Sequence, residues 1–211
     1  MTSNAGEDYP PLSSWARAGH WLFRQRTWIP LPLVLTLLLV RKGEAPSRLL
    51  TLLGATIVLA AEALRVWAVR HIGVISRTRS DRLGPLVCTG PFAIVRNPLY
   101  LGNIGLWVGF ALAARLVWVA PIFAAVLGLE YHAIVRWEEQ ALESRRGEDY
   151  RAYARRVPRW IPAFHRASST TSPAAHSWRD TLFSERGTLT AIGVGSLLLW
   201  MKATLFSVFG G

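Results

Sequence analysis

The chain alternates apolar stretches with charged connections. A helix that crosses a bilayer needs about 20 mostly apolar residues at a rise of about 1.5 Å each. Five stretches approach that length: 28–40, 49–69, 99–114, 116–135 and 188–208. The 28–40 run is the shortest, and it spans only untilted, with Arg24 and Arg26 snorkelling toward the surface. The 49–69 run is long enough and carries Glu62 and Arg65 inside it. The 99–114 and 116–135 runs are separated only by Arg115, which predicts a tight helical hairpin with Pro121 early in its second arm. The pattern predicts an all-α fold, a polytopic membrane helical bundle of about five transmembrane helices.

Beyond the hairpin, 135–156 lacks proline, has one glycine and carries acid–base pairs at helical spacing, so it predicts a helix leaving the membrane. Val157-Pro158-Arg159-Trp160-Ile161-Pro162 breaks that helix, and 167–177, rich in Ser, Thr and Ala, reads as linker. The chain thus divides into an N-terminal segment 1–27, a core 28–162, a linker 163–187 and a last apolar helix 188–211. No internal repeat is visible.

Composition points the same way. Hydrophobic residues make up 51% and charged residues 18%, below the roughly 25% charged of a soluble domain. Ten tryptophans suit bilayer interfaces. The net charge of +11 fits nucleic acid or an anionic lipid surface, and the intervening apolar runs decide for lipid. Cys88 is the only cysteine, which excludes an intrachain disulfide and a paired-cysteine metal or redox motif. The first apolar run is not followed by a small-residue cleavage site and is expected to be retained.

Lysine and arginine in the connections set orientation. Arg41, Lys42, Arg48 and the hairpin-tip Arg115 lie on one side. Arg17, Arg24 and Arg26, then Arg70, Arg77, Arg79, Arg82 and Arg96, and ten more arginines in 136–187 lie on the other. The heavier side is expected to be cytosolic, which makes 1–27 cytosolic and brings the connections 70–97 and 136–187 to one face. The arginines from Arg145 to Arg159 are expected to meet anionic headgroups.

Two stretches on that face could carry chemistry. In the first, Gly90-Pro91 forces a turn and Pro98 suits the first turn of the next helix, so Arg96, Asn97 and Tyr100 gather at a helix N-terminus, where an anionic group is favoured. The same residues also suit an interfacial anchor. In the second, Glu138-Glu139 precede Leu142, Gly147, Tyr150 and Tyr153; paired carboxylates here could hold hydroxyls or a cation, or simply open a solvated helix balanced by Arg145 and Arg146. Elsewhere, Glu62 and Arg65 can pair at i, i+3, and Gly105 and Gly109 form a step that lets helices approach closely. His71 and His132 read as interfacial, with no metal-ligand spacing around them.

Taken together, the two stretches resemble the isoprenylcysteine carboxyl methyltransferase and phospholipid methyltransferase superfamily of membrane enzymes. The resemblance rests on Gly90-Pro91-Phe92, Arg96-Asn97-Pro98-Leu99-Tyr100-Leu101-Gly102, Glu138-Glu139-Gln140-Ala141-Leu142, Arg146-Gly147-Glu148-Asp149-Tyr150-Arg151-Ala152-Tyr153 and Val157-Pro158-Arg159-Trp160-Ile161-Pro162, in the family's order and spacing over 84–162. It implies a helical fold that binds S-adenosylmethionine without a Rossmann domain, and a lipid-like or small hydrophobic acceptor entering from the bilayer. By matching position, Gly90, Pro91, Arg96, Asn97, Pro98, Tyr100, Gly102, Glu138 and Glu139 would surround the cofactor. Arg96 would hold a carboxylate, and Glu139 would be the candidate base for an amine acceptor.

Two positions depart from the family pattern. Asn97 stands where the family usually has His, which removes a titratable ring but keeps a hydrogen-bonding side chain, and Phe92 replaces Tyr. Two other readings remain open: an NADPH-dependent membrane reductase of the steroid 5-alpha-reductase type, and a non-catalytic membrane protein on the same scaffold. The paired glutamates favour the methyl donor over the first; Asn97 is the feature that favours the second.

Overall fold

The computed structural model describes residues 13–40, 47–73, 86–163 and 175–209. Arg41 and Lys42 of one expected loop, Arg77, Arg79 and Arg82 of another, and residues 164–174 of the expected linker lie outside the described residues. Seven α-helices and one short 3-10 turn make up the described chain, with no strand among the described residues. Helices α3 (Arg48–Ile72), α5 (Val119–Arg146) and α7 (Trp178–Phe209) are long and apolar enough to cross a membrane, and α2 (Pro30–Leu39) and α4 (Pro98–Ala113) are apolar but shorter. The chain is therefore an all-α multi-pass membrane protein by length and composition of its helices.

The pairing of α3 with α4 forms the centre, and glycine is the reason. A β-carbon at Gly109 would lie 2.8 Å from the Gly54 carbonyl oxygen, and one at Gly54 would lie 2.4 Å from the Ala113 nitrogen. Gly105 similarly faces Ala61. The Gly105–Gly109 step thus serves close packing, which in lipid substitutes for the missing hydrophobic drive. Leu33, Leu37, Leu116, Val119, Phe123 and Leu127 fill the core on the other side of α4.

The expected hairpin is present, with its tip at Arg115, a non-glycine residue in the left-handed region (φ 62°). Its second arm does not end at 135. Helix α5 runs unbroken for 28 residues to Arg146, because nothing after Gly128 interrupts its backbone, and Gly147 (φ 52°) then stops it. The short α6 (Glu148–Arg156) follows, with Glu148 and Asp149 at its positive end and Arg155 and Arg156 at its negative end.

Two elements differ from the hydropathy pattern. Helix α1 (Ser14–Gln25) lies in the expected N-terminal segment, begins at the Ser13 cap and crosses α5 so closely that a β-carbon at Gly19 would sit 1.9 Å from the Ala133 carbonyl oxygen. Trp15 meets His132 edge-on, and His20 and Phe23 pack on Trp137. Helix α7 begins at Trp178 rather than 188, started by Ser177, whose hydroxyl accepts from the Asp180 amide at 3.1 Å. Hydropathy placed 178–187 in a linker because the segment is polar; Thr181, Ser184 and Glu185 are nonetheless buried. Farther along α7, the Lys202 ammonium donates to the Leu37 and Val40 carbonyls, both at 2.6 Å, and so closes the end of α2.

Candidate functional site

The stretches before and after the hairpin meet, and backbone and side-chain hydrogen bonds fasten them. Arg96 N–H donates to the Pro158 carbonyl at 2.9 Å, and Ala163 N–H donates to Ile94 at 3.0 Å. The Asn97 side-chain amide donates to the Arg159 carbonyl at 3.1 Å, and the buried Tyr153 hydroxyl donates to the Phe92 carbonyl at 2.8 Å. Segment 157–163 is thereby strapped across the 3-10 turn Gly90–Ala93 and the start of α4. Asn97 is occupied in this strap, a task any good side-chain donor can perform.

Glu139 sits at the centre of what the strap encloses. One of its oxygens accepts from an Arg96 terminal nitrogen at 2.7 Å, while the Arg159 guanidinium grips both oxygens, at 2.9 Å (Nε to Oε1) and 2.6 Å (NH2 to Oε2). The same Arg96 nitrogen reaches the Tyr150 hydroxyl at 3.3 Å. Fork-shaped, charge-assisted pairs of this kind fix geometry as well as contribute energy. The Glu139 carboxylate makes the Arg159 guanidinium hold its proton more firmly than usual. Burial first, and the Glu139 charge second, push the Tyr150 hydroxyl up to about 12. Burial also raises Tyr153 and the nearby Cys88 thiol above their ordinary values.

Glu138 faces another way: it accepts from the Tyr100 hydroxyl at 2.8 Å, and the Tyr100 ring lies 4.8 Å from that of Tyr131. Arg26, at the end of α1, lies near enough to act electrostatically on Glu138 and Tyr100.

Of the sequence-selected residues, the structure gathers Arg96, Asn97 and Glu139 at the clamp, with Tyr100 and Glu138 beside it. Pro91 and Pro98 are fully buried and shape the turn and the start of α4. Gly90 (φ 59°) lies under the His71 ring, 2.5 Å from where a β-carbon would be. Gly102 is not at the clamp; it faces α3, where a β-carbon would meet the Arg65 side chain at 2.4 Å. Arg159 and Tyr150 belong to the clamp, although neither is among the residues expected to surround the cofactor. Their signal was present in Val157-Pro158-Arg159 and in the Tyr150–Tyr153 spacing. Arg159 also leaves the group of arginines expected to face headgroups, and Arg151 and Arg155 pair with Glu143 and Glu148. Glu62 pairs with Arg65 at 3.3 Å, as their spacing predicts. His71 Nδ1–H donates to the Trp67 carbonyl at 2.9 Å.

The clamp leaves one buried donor open to an anionic group. The Nε of Arg96 is buried with no hydrogen-bond partner among the described residues, and a buried guanidinium N–H demands an acceptor. Glu138 and Glu139 supply negative charge beside it, suited to hydroxyl or cationic groups.

Residues 49–148 match the sequence profile of the phospholipid methyltransferase family. Over 108 residues the chain is 33% identical to a nickel-cobalt-cadmium resistance protein, NccN, of Alcaligenes xylosoxydans, covering 50% of this chain and 47% of that one. Over 142 residues it is 31% identical to a cobalt-zinc-cadmium resistance protein, CzcN, of Cupriavidus metallidurans, covering 66% of this chain and 62% of that one. The matches thus span about half to three fifths of these relatives' length. No solved structure matches the chain.

Proposed function

We propose that the protein, whose residues 49–148 match the profile of the phospholipid methyltransferase family, is an S-adenosylmethionine-dependent membrane methyltransferase acting on a lipid-like or small hydrophobic acceptor, with its site on the cytosolic face. The observation that carries this reading is the strapped clamp, with the partnerless buried Nε of Arg96 at its edge. Bound there, S-adenosylmethionine supplies a methyl group already activated by its positive sulfonium. Arg96 then holds a carboxylate, the Glu139 charge keeps Arg96 and Arg159 in place, and the strap from 157 to 163 excludes water from the transfer. Orientation and exclusion of water are what such a displacement chiefly needs.

The clamp supports an anchoring role for Glu139 better than a role as base, because guanidinium donors already occupy both its oxygens. That suits an acceptor needing no deprotonation, such as a carboxylate; for an amine or thiol, the carboxyl of Glu138 is the better-placed proton acceptor. The non-catalytic reading has one observation in its favour, the employment of Asn97 in the strap. Calorimetric titration of the detergent-solubilised protein with S-adenosylhomocysteine separates the two. Saturable binding supports the methyltransferase; no binding removes it. Growth of a deletion strain on cobalt, nickel and cadmium tests whether the resistance named for the relatives extends to this protein.

A further inference from the structure

Helix α7 lies outside the residues matched to the family, yet it buries a carboxylate in the bundle. Its side chains divide sharply: Phe183, Leu197 and Trp200 are exposed, whereas Thr181, Ser184 and Glu185 are buried, Glu185 completely. A fully buried carboxylate is costly unless it is paired, and an apolar helix could dock without one. The carboxylate must therefore be held for what it touches.

It touches Arg65, whose two terminal nitrogens donate hydrogen bonds and whose Nε faces a second carboxylate. Glu62 lies 3.3 Å from Nε, Glu185 accepts from NH2 at 2.8 Å, Thr188 accepts from the same nitrogen at 3.1 Å, and NH1 donates to the Asn103 side-chain oxygen. Glu62 alone, on the same helix, would leave the planar group free to turn about its Nε edge; Glu185 fixes the opposite edge and so aims NH1 at Asn103. Asn103 is also hydrogen-bonded to Tyr131, Tyr131 stacks on Tyr100, and Tyr100 donates to Glu138. Contacts therefore run from α7 to the residue beside Glu139, polar throughout except for the ring contact between Tyr131 and Tyr100.

We infer that Glu185 is a positioning residue of the cofactor site, acting through Arg65, Asn103 and the Tyr131–Tyr100 pair on Glu138. The inference rests on the methyltransferase reading, and its test is read in two ways. In the full chain, Glu185→Gln is expected to weaken S-adenosylhomocysteine binding about tenfold and to speed amide hydrogen exchange across 97–103. Glu185→Asp recovers both in part, and Phe183→Ala on the lipid side changes neither. Asn103→Leu, which cuts the path while leaving the Arg65–Glu185 pair, is expected to match Glu185→Gln, and it serves where the latter fails to insert. Unchanged exchange in Asn103→Leu, or unchanged exchange in an inserted Glu185→Gln, overturns the inference. If the wild-type chain binds no S-adenosylhomocysteine, the methyltransferase reading fails, and the exchange comparison still decides the coupling.

Discussion

Glu139 and Glu185 are both carboxylates gripped by arginine, but they stand in different surroundings. Glu139 lies at the end of the bundle, its side chain 13% exposed, between two guanidiniums supplied by segments far apart in sequence. Glu185 is 1% exposed inside the bundle, and it shares a single guanidinium with Glu62. The first cluster carries an excess of positive charge, two guanidiniums around one carboxylate; the second has more carboxylates than arginines, with Glu62 and Glu185 around Arg65. Surplus guanidinium charge suits an anionic ligand, whereas one arginine shared by carboxylates of two helices fixes those helices. The contrast teaches that buried charge in this molecule serves both binding and assembly, and that the sign of the surplus charge separates the two.

Substitution should break this contrast most severely at Glu139. Glu139→Ala leaves Arg96 and Arg159 partly buried without their counter-charge, a loss of about 3–5 kcal/mol for pairs of this kind. Binding of S-adenosylhomocysteine is expected to fall by a factor of about a hundred or more, read by calorimetry, and a wild-type affinity would remove the clamp from the site. Glu139→Gln, which keeps shape and removes charge, is expected to abolish turnover in membranes while the protein remains inserted.

The α7 network should respond differently to loss of a pair than to loss of one partner. Arg65→Leu alone strands Glu185 and is expected to lower thermal stability in detergent by about 3–5 kcal/mol. The triple change Glu62→Gln, Arg65→Met, Glu185→Leu is expected to restore stability, since apolar replacements of buried ion networks are often neutral or better. Recovery of stability without recovery of cofactor affinity would sharpen the distinction between assembly and positioning; recovery of neither would erase it.

Gly109→Leu should cost about 1–3 kcal/mol through overpacking, because even its β-carbon meets Val58 at 2.7 Å. The smallest effect concerns alkali. Tyr150 is raised from its ordinary 10.0 to about 12, so the folded protein holds that proton where the unfolded chain releases it. Its contribution is complete below pH 10 and is lost as pH rises toward about 12. Tyr150→Phe should therefore flatten the fall in melting temperature across that window.

Much of the first cluster was legible because its parts stand in ordered motifs: Arg96 and Asn97 before one helix, Glu138-Glu139 after the hairpin, and a proline-bounded arginine at 159. The hairpin and the Gly105–Gly109 step could be read from composition and spacing. Helix α7's dock could not. Thr181, Ser184, Glu185 and Thr188 recur at i, i+3, i+4 and i+7, a true helical stripe, but hydropathy takes a polar stripe as solvent-facing. In lipid that rule reverses, and only a partner such as Arg65 reveals which way the stripe turns. Helix α1 escaped because its stripe of Trp, Gly and Arg is too polar to register as a span, although Gly19 marks the point where it crosses α5.

The lysine at 202 has a consequence for the order in which the protein is made. It reaches back 165 residues to the Leu37 carbonyl and 162 to that of Val40. While the ribosome extends the chain, the ten-residue α2 has neither the length to span alone nor the ammonium that closes its open end. Helix α2 therefore reaches its finished state only after α7 has emerged.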